Sequence, residues 1–222
     1  MQRSAGPERV RFQLLSGLAR TVALGSLLTA AACVQTPSGL NGPPSDFIVV
    51  TDFAVPEGAV HLDPSFGFSL YRGEAGVPTE RRAASVGRAV AFLVTDTIVD
   101  RLRARGYDTV STSNSNPGDT GHRALIVTGT LSTVDEGQGR RVGSEHSAVI
   151  GQVEIKAELP GGGTQPVQSF AVDSRNAPPA TANNGATTRE TGVDADATKV
   201  GAEIARVVAE VARRNNWLPA TR

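Results

Sequence analysis

The sequence predicts an α/β domain of the α+β kind, in which a mixed, largely antiparallel sheet carries two amphipathic helices on one face. Three observations predict it. Apolar residues recur at spacings of three and four between Glu80 and Arg105, and the same period returns between Asp194 and Trp217. Ser147 to Leu159 alternates apolar and polar residues, the pattern of a strand with one buried and one wet face. The order of signals, β-α-β-β-β-β-α, then brings both helices onto one side of the sheet and leaves the other side open to solvent or a partner.

The chain of 222 residues suits one domain with tails, and its 22 basic and 22 acidic residues give no net charge. Such a balance lacks the basic face that binding to a phosphate backbone requires, so nucleic acid is not an expected partner. Seven Phe, two Tyr and one Trp leave the packing of the core to Val, Ala, Leu and Ile.

Residues 1–32 read as a signal peptide. Thr21 to Ala32 is an uncharged run preceded by Arg3, Arg9, Arg11 and Arg20. It is shorter than the ~20 apolar residues that span a bilayer. The run ends Ala30, Ala31, Ala32, Cys33, and Cys33 is the only cysteine of the chain. A single unpaired thiol carried into an oxidising compartment is a liability, unless it is used there. The alternatives are a plain secreted protein and a free thiol in a chain that is not exported. LLTAAAC (27–33) resembles the bacterial lipobox, although Ala30 stands where leucine is usual and Leu28 lies two places further back. The resemblance implies lipidation of Cys33 by acyl chains, palmitate among them, with the membrane as the partner of the mature N-terminus. Buried methylenes contribute ~0.8 kcal/mol each to such an anchor. Val34 follows Cys33 where aspartate would favour inner-membrane retention, so the resemblance implies the outer membrane, facing the periplasm.

Residues 33–45 include QTPSGLNGPPS and read as a flexible tether. The domain is expected over 46–218, with a short tail at 219–222. It opens with the strand DFIVVTDF, and residues 56–79, broken by Pro56, Pro64 and Pro78, read as an irregular loop. In the helix of 80–105, Val86, Val90, Leu93, Thr97 and Leu102 form the inward stripe, with Ala89, Val94 and Ile98 beside it. Arg101, Arg103 and Arg105 favour its C-terminal end and Gly106 terminates it. Strands follow at 107–113, 123–135, 147–159 and 165–173, with Val149, Gly151, Val153, Ile155, Ala157 and Leu159 on the buried face of the third. In the last helix Asp194 or Asp196 is expected to cap the start, Val200, Ile204, Val207, Val208 and Val211 to face inward, and Arg213 and Arg214 to close the end.

DFIVVTDFAVPEG, LRARGYDTV, ALIVTGTLSTVDEGQGRRVGSEHSAVIGQVEI and a helix before Trp217 together resemble bacterial envelope lipoproteins grouped as the 4410 family of domains of unknown function. The resemblance spans residues 46–217. Its most specific part is Asp135 and Gly137, the arginine at 140 or 141, and Gly143. Members usually carry a G-x-G-x-G run after that arginine, and Ser144, Glu145 and His146 stand in its place here. No reaction is assigned to the family. The resemblance implies a layout like that of periplasmic modules in secretion and export assemblies.

Catalytic chemistry finds little support in the sequence. His61, His122 and His146 are far apart, all in expected loops and without HxH or HExxH spacing, so neither a metal nor a cofactor is expected. Ser144 and His146 are the residues an envelope hydrolase would use, but no GxSxG elbow supports them. Gly137, Gly139 and Gly143 match no phosphate-binding pattern. The loop 135–146 gathers Asp135, Glu136, Arg140, Arg141, Glu145 and His146 between two strands. Its bland reading is a solvated hairpin loop. Its sharper reading is an interaction loop made of Asp135, Gly137, Arg140, Arg141 and Gly143, in which the arginines meet an acidic partner, a neighbouring copy or lipid headgroups. The expected function is therefore a membrane-anchored periplasmic lipoprotein, acting as a non-catalytic binding or assembly component of the cell envelope. A homo-oligomer or an envelope protein is the expected partner, and a small-ligand-binding domain using the open sheet face is the alternative.

Overall fold

The computed structural model begins its sheet with β1 (Phe47–Thr51), and describes residues 47–63, 77–113, 123–137, 146–159, 163–179 and 192–217. All of these fall in one unit, Pro37–Arg222. Ile48 and Val50 of β1 join the main core while Val49 packs with Ala124 and Ile126 on the opposite face. A strand buried on both sides is typical of parallel pairing. β1 is indeed parallel to β3 (Thr109–Thr112) on one side and to β4 (Ala124–Asp135) on the other. The helix α1 (Thr79–Ala104) lies between β1 and β3 in the chain and makes the crossover that parallel neighbours need.

β4 is 12 residues long and outruns β1, and the chain after β1 stays beside it. Ala54 bridges Thr130, and β2 (Val60–His61) pairs in parallel with Val134 and Asp135. The expected irregular loop therefore contains a short strand, and His61 lies on it rather than in a loop. Two residues offer no period for a sequence to display. The antiparallel half is the one the alternation predicts: β5 (Ala148–Glu158) pairs with β4 and with β6 (Thr164–Asp173), giving the order β3-β1-β4-β5-β6 with β2 on β4. The sheet is thus mixed, and its two longest ladders are antiparallel.

Both helices pack on the same face. Val90, Val94, Ile98 and Leu102 of α1 meet Val200, Ile204, Val208 and Val211 of α2 (Val193–Arg214) above Leu125, Val127, Val153 and Ile155 of the sheet. The helices approach closely because Gly201 has no side chain: a Cβ there would lie 2.7 Å from Thr97 Cβ and 2.9 Å from the Val94 carbonyl oxygen. Both helices also end alike. Gly106, at φ +86°, lets Tyr107 N–H donate to the Leu102 carbonyl at 3.1 Å, and Asn216, at φ +57°, lets Trp217 N–H donate to the Ala212 carbonyl at 2.8 Å.

Four expectations are corrected. The N-cap of α2 is Gly192, so Asp194 and Asp196 sit inside its first turn, where carboxylates favour the positive end of the dipole without capping it. Ala89 is exposed, because α2 covers α1 on a different side. Leu159 lies past the end of β5 and is exposed. The sheet's second face is not open throughout, since Val49 and Ile126 of the parallel half are 3% exposed.

Candidate functional site

The expected interaction loop leaves the sheet at the end where β4 stops and β5 starts, Asp135 standing opposite Ala148. Asp135 Oδ1 accepts a hydrogen bond from Gly137 N–H at 2.8 Å, and Gly137 takes φ +70° to permit it. Glycine adopts that conformation without strain, which gives Gly137 a local reason to be there. Glu136 ties the same point to β2: its N–H donates to the His61 carbonyl at 3.0 Å, and its Oε2 accepts from Asp63 N–H at 3.2 Å.

The returning strand is held as firmly. Ser147 Oγ donates to Asp196 Oδ2 at 2.5 Å, and Lys199 Nζ lies 2.8 Å from Asp196 Oδ1, so the loop's foot is fastened to the first turns of α2. Asp196 is 6% exposed; its two charge-assisted contacts offset the desolvation of a carboxylate. Ser174, also buried, accepts from Val149 N–H and donates its own N–H to the Val149 carbonyl, both at 3.0 Å. At the same end of the sheet Arg175 grips Asp173 and, by that hydrogen bond first, holds its carboxyl below the usual carboxylate range.

The structure thus brings Asp135 and Gly137 together in one turn, and places the exposed His146 one residue before Ser147. Arg140, Arg141, Gly143, Ser144 and Cys33 lie outside the described residues, so the expected arginine contacts and the Ser144–His146 pair have no geometry here. What the described residues show is a set of hydrogen bonds that fixes the two ends of the loop to β2 and α2. Among them, no group of three or more His, Cys, Asp or Glu side chains could hold a metal ion, and no helix is long and apolar enough to cross a membrane.

Two concave surfaces were not legible in the sequence. A groove of about 640 Å³ lies between the segment joining β1 to β2 and the first half of α1, with Phe53, Val55, Val60, Ala83, Gly87 and Ala91 in its walls. Gly87 keeps α1 close, because a Cβ there would lie 3.1 Å from both Val55 Cγ1 and Val60 Cγ2. A shallower cleft of about 390 Å³ lies on the open half of the sheet, where Thr128, Thr130, Gln152, Glu154 and Ser169 line it. The sequence signal for the first was the run of small residues at 83, 84, 87 and 91; for the second, the polar alternation of β5.

One exposed residue was also missed. Phe92 is 69% exposed on the outer side of α1, between Arg88 and Asp96. Its position four residues from each charge marks it in the sequence as an aromatic side chain on the polar face of the helix.

No family model matches the chain, and no curated protein matches it. Solved structures resemble it distantly. A Xanthomonas campestris protein of the DUF330 family is 12% identical, with 80% of this chain and 94% of that one covered at a TM-score of 0.38. A PelC dodecamer from Paraburkholderia phytofirmans, solved as a point variant, is 13% identical, with 75% and 91% covered at 0.31. A Helicobacter pylori protein described as a homologue of a neuraminyllactose-binding hemagglutinin is 13% identical, with 80% and 87% covered, also at 0.31. Scores this low lend no role to the present chain, which stands on its own geometry as an α+β domain with a framed loop and an apolar groove.

Proposed function

We propose that this chain is an outer-membrane lipoprotein, anchored by lipid on Cys33, whose periplasmic domain acts as a non-catalytic binding or assembly component of the cell envelope, in the manner of the 4410 family it resembles. The observation that carries the reading is Cys33 itself, the only cysteine, placed at the end of an uncharged run behind four arginines. The tether 33–45 ends just before the described domain begins, at Phe47. The loop 135–146 supplies the binding surface through Arg140 and Arg141. Its two feet, at Glu136 and Ser147, are fastened to β2 and α2, which gives the loop a rigid base.

The test is growth of a Gram-negative host expressing the full chain with labelled palmitate, beside Cys33→Ala. The reading expects label and membrane fractionation in the parent and neither in the variant. Unlabelled, soluble parent protein overturns it. A second reading, a small-ligand-binding domain, is favoured by the groove beside α1, whose volume and apolar walls fit the usual range for ligand pockets. A panel of apolar and amphiphilic small molecules that raises the melting temperature of the parent but not of Ala83→Trp, which fills the groove, would support that alternative.

A further inference from the structure

Both helices run the same way across the sheet. Thr97 faces Gly201, Arg105 Nη1 donates to the Ala205 carbonyl at 2.8 Å, and Tyr107 Oη donates to the Ala209 carbonyl at 3.4 Å. The C-terminal ends of α1 and α2 therefore lie at one end of the domain. β1 starts there too, because Ile48 N–H donates to the Asp108 carbonyl at 2.8 Å and Phe47 pairs with Ala124. The turn from β5 to β6, closed by Leu159 N–H donating to the Gly163 carbonyl, shares that end. Residues 33–46, which join the domain at Phe47, thus enter it where both helices finish.

The same end gathers Arg101, Arg103, Arg105, Arg123, Arg213 and Arg214, against Asp100, Asp108, Glu158 and Glu210, among the described residues. The helix dipole favours arginine at the end of each helix, but it does not account for Arg123, which stands just before β4. Much of this positive charge is left unanswered. Glu158 is 7% exposed, and Arg213 and Arg214 share the one carboxylate of Glu210. Arg103 and Arg105 are exposed and donate to the Thr109 and Ala205 carbonyls, neutral acceptors, and neither forms an ion pair among the described residues. A guanidinium carries five N–H groups, so each keeps donors for a phosphate oxygen. Leu159, 40% exposed at the β5–β6 turn, adds an apolar side chain to this end. At the other end, where β4 and β6 stop and both helices start, carboxylates instead outnumber cations among the described residues.

We infer that this end is a docking surface for an anionic phospholipid bilayer, where the arginines meet headgroup phosphates and Leu159 enters the interface beside them. The inference rests on the anchored reading for its geometry. A chain held at Cys33 keeps the surface within about 50 Å of the membrane, the extended length of residues 33–46, so contacts too weak to capture a free protein suffice. Docked in this way, β4 carries Asp135 and the loop 135–146 up to about 36 Å from the bilayer-side end, facing away from the lipid.

Trp217, the only tryptophan, lies at the same end and reports docking by its own fluorescence. Protein purified from membranes of a Gram-negative host is reconstituted with a nitroxide-headgroup lipid, a short-range quencher, in phosphatidylcholine alone or with added phosphatidylglycerol. Intact mass reads the anchor separately. A free thiol at Cys33 would sink the anchored reading, and that thiol then takes a maleimide phospholipid so that docking is still measured. Trp217 should be quenched in the anionic vesicles at low salt, and the quenching should fade as salt screens the surface. Arg213→Gln with Arg214→Gln lowers the ratio of docked to undocked domain about fivefold for each arginine. Arg81→Gln with Arg82→Gln removes the same two charges about 30 Å from Arg103 along α1, and leaves the quenching unchanged. Circular dichroism checks that both variants keep the fold. Equal quenching in the two kinds of vesicle, no loss in the Arg213 and Arg214 variant, or an equal loss in the Arg81 and Arg82 variant each overturns the inference.

Discussion

The two helices do the same work inward and opposite work outward. Each buries a stripe of valine, isoleucine or leucine against the same face of the sheet. On the outside, α2 neutralises itself: Arg206 holds Glu203 at 2.7 Å, and Arg213 and Arg214 share Glu210 at 2.8 and 2.9 Å. Asp194 and Asp196 stand in its first turn and Arg213 and Arg214 in its last, in accord with its dipole. α1 instead sets Arg81, Arg88 and Asp96 around an exposed phenylalanine, with no ion pair to any of them among the described residues. The inward period makes a helix in both cases. The outward faces differ in that α2 pairs its charges on its own surface, whereas α1 surrounds an exposed phenylalanine with charges that form no ion pair among the described residues.

The inward equivalence is the easiest part to break. Leu102 of α1 and Ile204 of α2 are both 0% exposed, so Leu102→Ala and Ile204→Ala should each cost about 3 kcal/mol in urea unfolding. Unequal costs would mean that one helix is an accessory to the core. The seam between the helices comes next: Gly201→Ala pushes a methyl into Thr97 and the Val94 carbonyl and should cost about 2 kcal/mol, with little relief available from backbone.

The outward difference is read by acid. Hydrogen bonds from Arg213 and then Arg214 hold the Glu210 carboxyl at about 2, below its ordinary 4.5. A carboxylate whose folded value is depressed stabilises fully above its unfolded value and loses that contribution as pH falls through the folded one. Stability measured between pH 5 and pH 2 should therefore decline less steeply in Glu210→Gln than in the parent. The effect is small, because the pairs are exposed. Smallest of all is the response to Phe92→Ser and to Arg206→Ala, each expected within about 0.5 kcal/mol.

The helices were legible because their periods are long and their ends carry chemistry, Gly106 at one and the arginines at the other. β5 was legible because Val149, Val153 and Ile155 alternate with Gln152, Glu154 and Lys156. The parallel half was not. FIVVT announces a strand but not its neighbours, and the pairing of β1 with β3 and β4 depends on where α1 returns the chain. Extra residues at Ser132 and Val167, where the ladders shift register, leave no mark in composition. Of the interaction loop, Asp135 and Gly137 have a structural explanation in their shared turn. The groove escaped notice because its walls come from two segments that only the fold brings together.

The edges of the sheet carry a consequence for crowding. At one edge β3 is only four residues long. At the other, β6 places Pro166 opposite Lys156, beside a shift in register. Proline has no N–H to offer an incoming strand, and an irregular ladder is a poor template for another. Copies of this domain held at high density can therefore collide edge to edge without zipping into a continuous sheet. Aggregation through strand addition is discouraged by the same features that end the sheet.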